Sequence, residues 1–97
     1  LNLSVAVLFS TLASVSFAGD AAAGKAKSMT CAGCHGANGI SNNPMWPNLA
    51  GQKQAYLASA LQMYRDGRRK NAMMTAMAKN LTDADIANLA AYYSGLK

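Results

Sequence analysis

The apolar residues change spacing several times along the chain, and each change marks a boundary. Residues 1–18 are an uncharged run rich in Leu, Val, Ala, Phe and Ser. Asp20 then stands where a helix N-cap belongs, ahead of Ala21, Ala22, Ala23, Lys25, Ala26, Lys27 and Met29, with Gly24 as an interruption. Gly33 to Gly51 holds four glycines and both prolines and reads as one long loop. From about Gln52 a helical period returns: Tyr56, Leu57, Ala60, Leu61 and Tyr64 recur at steps of three and four until Gly67. Arg68 to Leu81 is polar, Met-rich and weakly patterned, and is expected to be non-helical. Thr82-Asp83-Ala84-Asp85 then caps a last helix and places two acids at the positive end of its dipole. Ile86, Leu89, Ala90 and Tyr93 form its apolar stripe, and Gly95 ends it.

After residue 18 no cluster of Val and Ile has a period of two, so the domain is expected to be all-α, with three to four short helices. Loops of about 15–20 residues between so few helices break the usual preference for short connections unless something fills the space. At 97 residues, 52% hydrophobic and 13% charged, the chain has room for one small domain and no second core. Residues 1–18 end in Ser16-Phe17-Ala18, small residues flanking a large one, as export-signal cleavage prefers. Polar Asn2, Ser4, Ser10, Thr11, Ser14 and Ser16 dilute the run below what a membrane span requires. Residues 1–18 are therefore expected to be a signal peptide, with an uncleaved anchor or a packed helix as alternatives. Residues 19–97 would be the functional domain, which is not expected to be membrane-embedded. A domain below about 80 residues rarely builds enough core unaided.

Cys31-Ala32-Gly33-Cys34-His35 supplies what is missing. C-x-x-C-H is the attachment sequence of a c-type haem. Each thiol adds across one haem vinyl group, two intervening residues hold the sulfurs near both vinyls, and His35 is directed at the iron from one face. Small Ala32 and Gly33 let the backbone approach the porphyrin edge. A redox dithiol of thioredoxin type would want a strand–helix context, and a zinc site would need four ligands. No Cys or His exists beyond these three. A porphyrin also provides the apolar core that this short chain lacks.

Because His35 is the only histidine, a bis-histidine iron within one chain is excluded. The other axial position falls to Met, Lys, water or nothing. Met29 and Met63, at helix positions, read as core filler, and Met45 could pack on the porphyrin. Met73, Met74 and Met77 lie well downstream of His35, in a segment able to reach the other haem face.

The haem motif, the Pro47-Asn48-Leu49-Ala50-Gly51 run, the Met-rich loop and the Thr-Asp-x-Asp-Ile start of a Tyr-Tyr helix resemble class I cytochromes c. The resemblance is to monohaem halves of the cytochrome c4 group and to small c-553/c5-type cytochromes, and it covers residues 19–97. It implies the cytochrome c fold and one covalent haem c on Cys31 and Cys34. In that family the ligand methionine stands eight residues before the residue capping the last helix. That spacing selects Met74 with His35, ahead of Met77 and then Met73. The resemblance also implies that the Pro47 carbonyl accepts a hydrogen bond from the His35 ring, and that Gly24 is a helix-crossing glycine facing Tyr92 or Tyr93. A single haem motif marks one unit, not the two-haem protein.

An iron held by His and Met has no open site, which favours outer-sphere electron transfer over catalysis. The expected role is a periplasmic, non-enzymatic carrier shuttling single electrons between redox partner proteins of a respiratory chain. The alternative is a haem subunit, or a ligand-binding or peroxidatic haem protein with a labile sixth ligand. The formal charge is +5, and Arg65, Arg68, Arg69 and Lys70 form a basic cluster partly offset by Asp66. That cluster is a solvated loop, a partner-steering patch or a source of one propionate contact. It is too short and too poor in interleaved aromatics for nucleic acid.

Overall fold

A computed structural model describes residues 19–97, and the expected signal peptide therefore lies outside the described residues. The described chain is helical without strands. Helices α1 (Ala21–Lys27), α2 (Ala32–His35), α3 (Gln54–Arg65), α4 (Ala72–Ala78) and α5 (Asp83–Ser94) follow in order, with a 3₁₀ turn at Ser28–Thr30 between the first two. No helix among the described residues is long and apolar enough to cross a membrane.

α5 organises the rest. The Thr82 hydroxyl accepts from the Asp85 N–H at 3.0 Å, and the Asp85 carboxylate accepts from the Thr82 N–H at 3.0 Å, closing a reciprocal capping box. The Thr82 backbone hydrogen bond is the main reason the Asp85 carboxyl titrates below the ordinary carboxylate value, with Lys27 adding to it. Its stripe is the expected one: Ile86, Leu89, Ala90 and Tyr93 are all buried.

α1 crosses α5 at backbone distance. A Cβ on Gly24 would collide with the Asn88 carbonyl and the Tyr92 Cβ, so only glycine permits this approach. The expected helix-crossing role is correct, with Tyr92 and Asn88 as the residues met. Its expected interruption of α1 is not, because the helix runs through it. Asp20 caps α1 with its carboxylate and donates its own N–H to Asn88 Oδ1 at 2.7 Å.

Two segments expected as loop are helical. Ala32–His35 forms a single turn, so the long loop starts at Gly36. Ala72–Ala78 forms α4, because Asn71 Oδ1 accepts the Met74 N–H at 3.0 Å and Ala and Met favour helix. Its apolar pattern is weak because the helix has seven residues and buries only Ala78. These two elements raise the expected three to four helices to five. Met29 is 76% exposed and is no core filler. The 3₁₀ turn at Ser28–Thr30 carries it, and α1 reaches α5 through Gly24 instead.

The loop from Gly36 to Lys53 is held without regular structure. The Gly39 carbonyl accepts from Leu49 and Ala50 at 2.8 and 3.0 Å, and Asn48 Oδ1 accepts from Ser41 at 2.7 Å. Gly51 N–H donates to the Tyr93 carbonyl at 2.9 Å, tying the loop to α5.

Candidate functional site

The buried apolar residues among those described are few: Leu57, Ala60, Ala78, Ile86, Leu89, Ala90 and Tyr93. Much of the remaining apolar surface faces a cavity of about 460 Å³ between α2, the following loop, α3, α4 and α5. That volume falls in the range of cofactor sites. The α3 stripe reaches it through Tyr56, Leu57, Ala60, Leu61 and Tyr64. Within the stripe only Leu57 and Ala60 are buried by protein, and Tyr56 stays 48% exposed.

Cys31, Cys34 and His35 line this cavity, with both thiols free. The turn of α2 places them: the His35 and Gly36 N–H groups donate to the Cys31 and Ala32 carbonyls, each at 2.9 Å. Burial pushes the Cys31 thiol above its ordinary pKa, against opposing hydrogen bonds from Thr30 and Tyr93. Burial likewise pushes the Tyr93 phenol far up, with the nearby Cys31 adding to it.

His35 is buried, and its Nδ1 lies 2.8 Å from the Pro47 carbonyl. A carbonyl only accepts, so Nδ1 carries the proton, and in the neutral ring Nε2 carries the lone pair. This is the contact expected of Pro47, which the cross-bonded loop delivers.

Met73, Met74 and Met77 all line the cavity from α4, which keeps the three candidates together. They differ in cover: Met74 is half-buried, whereas Met73 and Met77 are 57% and 53% exposed. Met45 also borders the cavity, although 82% exposed.

The basic cluster divides. Arg65 pairs with Asp83 at 2.8 Å and donates to the Leu81 carbonyl, and Arg68 pairs with Asp66 at 3.1 Å. Arg69 instead borders the cavity, donating to the Tyr56 hydroxyl at 3.2 Å and stacking over Tyr64. In the sequence Arg69 belongs to a charge run and the tyrosines to a helix stripe, with nothing local that joins them. The usable signal was two tyrosines on one apolar stripe with a cation just beyond the helix end.

The donor set fits a c-type haem: two free thiols and one imidazole with its lone pair available, on the wall of an apolar cavity also lined by thioethers. Comparison with known proteins agrees. Cytochrome c-554(548) of Halomonas halodenitrificans is 55% identical over 79% of this chain and 96% of its own length. The thiosulfate dehydrogenase electron acceptor of Thiomonas intermedia is 46% identical over 78% of this chain and 36% of its own length. The solved cytochrome c4 of Acidithiobacillus ferrooxidans superposes with a TM-score of 0.76 at 38% identity, covering 81% of this chain and 50% of that one. The chain thus spans nearly all of the first relative and half or less of the other two. Residues 21–97 match the family described as Cytochrome c; the chain belongs to that family, and is an electron-transfer protein carrying covalent haem c.

Proposed function

We propose that the chain is an exported, non-enzymatic carrier that passes single electrons between redox partners of the bacterial envelope, with His35 and Met74 as its axial ligands. The carrying observation is the cover of Met74, the half-buried member of the three methionines that line the cavity from α4. Asn71 fixes its backbone in the first turn of α4.

Bound haem supplies a one-electron iron couple. The chain's own residues do the rest. Cys31 and Cys34 hold the porphyrin edge, and Pro47 orients the His35 ring and raises its basicity through Nδ1. Met74 presents a neutral thioether, which with neutral imidazole favours the ferrous state relative to a bis-histidine site. Leu57, Leu61 and Leu89 keep water from the ring face. With His35 and Met74 both holding the iron, no position would remain for oxygen or peroxide, so the labile-ligand alternative is not favoured. The relative from Thiomonas intermedia, named as an electron acceptor of a dehydrogenase, supports partner proteins of that kind. The signal peptide expected of residues 1–18 fits a carrier working in the periplasm.

The ferric protein is expected to show the weak near-infrared sulfur-to-iron band. Met74→Ala abolishes the band and admits carbon monoxide to the ferrous iron, while Met77→Ala keeps the band. A band that survives Met74→Ala overturns the ligand assignment. Ready carbon monoxide binding by the unsubstituted protein at neutral pH overturns the carrier reading.

A further inference from the structure

Among the described residues lining the cavity, one formally charged side chain occurs, Arg69. Its neighbours in the basic run are committed elsewhere, Arg65 to Asp83 and Arg68 to Asp66, and Lys70 does not line the cavity. Arg69 lies in none of the ion pairs among the described residues; its partners are the Tyr56 hydroxyl at 3.2 Å and the Tyr64 ring, 4.9 Å from its guanidinium carbon to the ring centroid. Both tyrosines also line the cavity.

We propose that Arg69, held by Tyr56 and Tyr64, anchors a haem propionate and is thereby a positioning residue for the iron potential. A porphyrin joined through its vinyl positions to Cys31 and Cys34 brings two propionate carboxylates on its other edge. A carboxylate entering an apolar cavity is costly unless it is paired and hydrogen-bonded. The guanidinium fork matches a carboxylate in shape and keeps several N–H donors after serving Tyr56. Tyr56 accepts from Arg69, so its own O–H is left to donate to the same carboxylate. Stacking over Tyr64 holds the guanidinium plane in place at a rim where Arg69 is otherwise exposed. Neutralising an anion near the iron removes stabilisation from the ferric state and raises the potential.

The inference rests on haem occupying the cavity and is independent of which methionine binds the iron. Its test uses the mature holoprotein with Arg69→Gln, Arg69→Lys, Tyr56→Phe and, as control, Arg68→Gln. Resonance Raman spectroscopy reads the propionate bending modes, and spectroelectrochemistry reads the midpoint potential. Arg69→Gln is expected to shift the bending modes and lower the potential; Arg69→Lys restores part of the potential, Tyr56→Phe shifts both by less, and Arg68→Gln moves neither. Bending modes unmoved in Arg69→Gln overturn the proposal, whatever the potential does. If that variant fails to mature, unmoved modes in both Arg69→Lys and Tyr56→Phe overturn it. The near-infrared band in each variant reports the axial pair separately, so failure of this contact is distinguishable from failure of the Met74 assignment.

Discussion

At the α1–α5 crossing, protein packs on protein down to the backbone; across the cavity, apolar side chains face each other with space between them. Gly24 meets the Asn88 carbonyl, Lys27 pairs with Asp85 at 3.5 Å, and Asp20 is bonded to Asn88. On the cavity side, Tyr56, Met73 and Met77 stay about half exposed. One region is complete with polypeptide alone. The other is a mould whose filling is covalently supplied, so the two should fail differently.

The largest expected effect comes from removing the filling. Cys31→Ser with Cys34→Ser should yield protein without covalent pigment. Hydrogen exchange should then rise far more in α3 and α4 than where α1 meets α5. Equal loss of protection in both regions would contradict that division.

Breaking the other region comes next. Gly24→Ala adds a Cβ against backbone, where relief requires a helix shift. Overpacking of this kind costs about 1–3 kcal/mol, set against the small helix-propensity gain of Ala over Gly. Denaturant unfolding should show that loss with the haem spectrum unchanged. A neutral outcome would mean that the crossing is looser than its contacts imply.

Capping is a smaller lever on the same region. Thr82→Ala removes the acceptor for the Asp85 N–H and is expected to cost about 1 kcal/mol by denaturant titration. The smallest effect is a pH dependence. The Asp85 pKa is lowered in the folded protein, first by the Thr82 backbone hydrogen bond. Its contribution is therefore present above the unfolded-state value of about 4 and is lost as pH falls through the folded value. Asp85→Asn should flatten the stability profile in that acid range alone.

What could be read from the residues varied with what each faces. Ile86, Leu89, Ala90 and Tyr93 were legible because α5 buries all four at helical steps, with Leu89 and Tyr93 also reaching the cavity. Cys31, Cys34 and His35 were legible because thioether chemistry demands their spacing. α4 was not, because it has seven residues and buries only Ala78, too short for a stripe to repeat, whereas the twelve-residue α3 keeps a clean period although it faces the same cavity. The family spacing selected Met74, and the fold added a reason in its greater cover.

Local chemistry thus carried the helical class, the haem attachment and the cap of the last helix, since each depends on residues close together in the chain. Three-dimensional folding was needed to place Pro47 on His35, Gly24 against Asn88, and Arg69 beside Tyr56 and Tyr64. Those contacts join segments whose separation along the chain says nothing about distance in space; the α1–α5 crossing brings Gly24 to Asn88, and packing around the cavity brings the other two within bonding range.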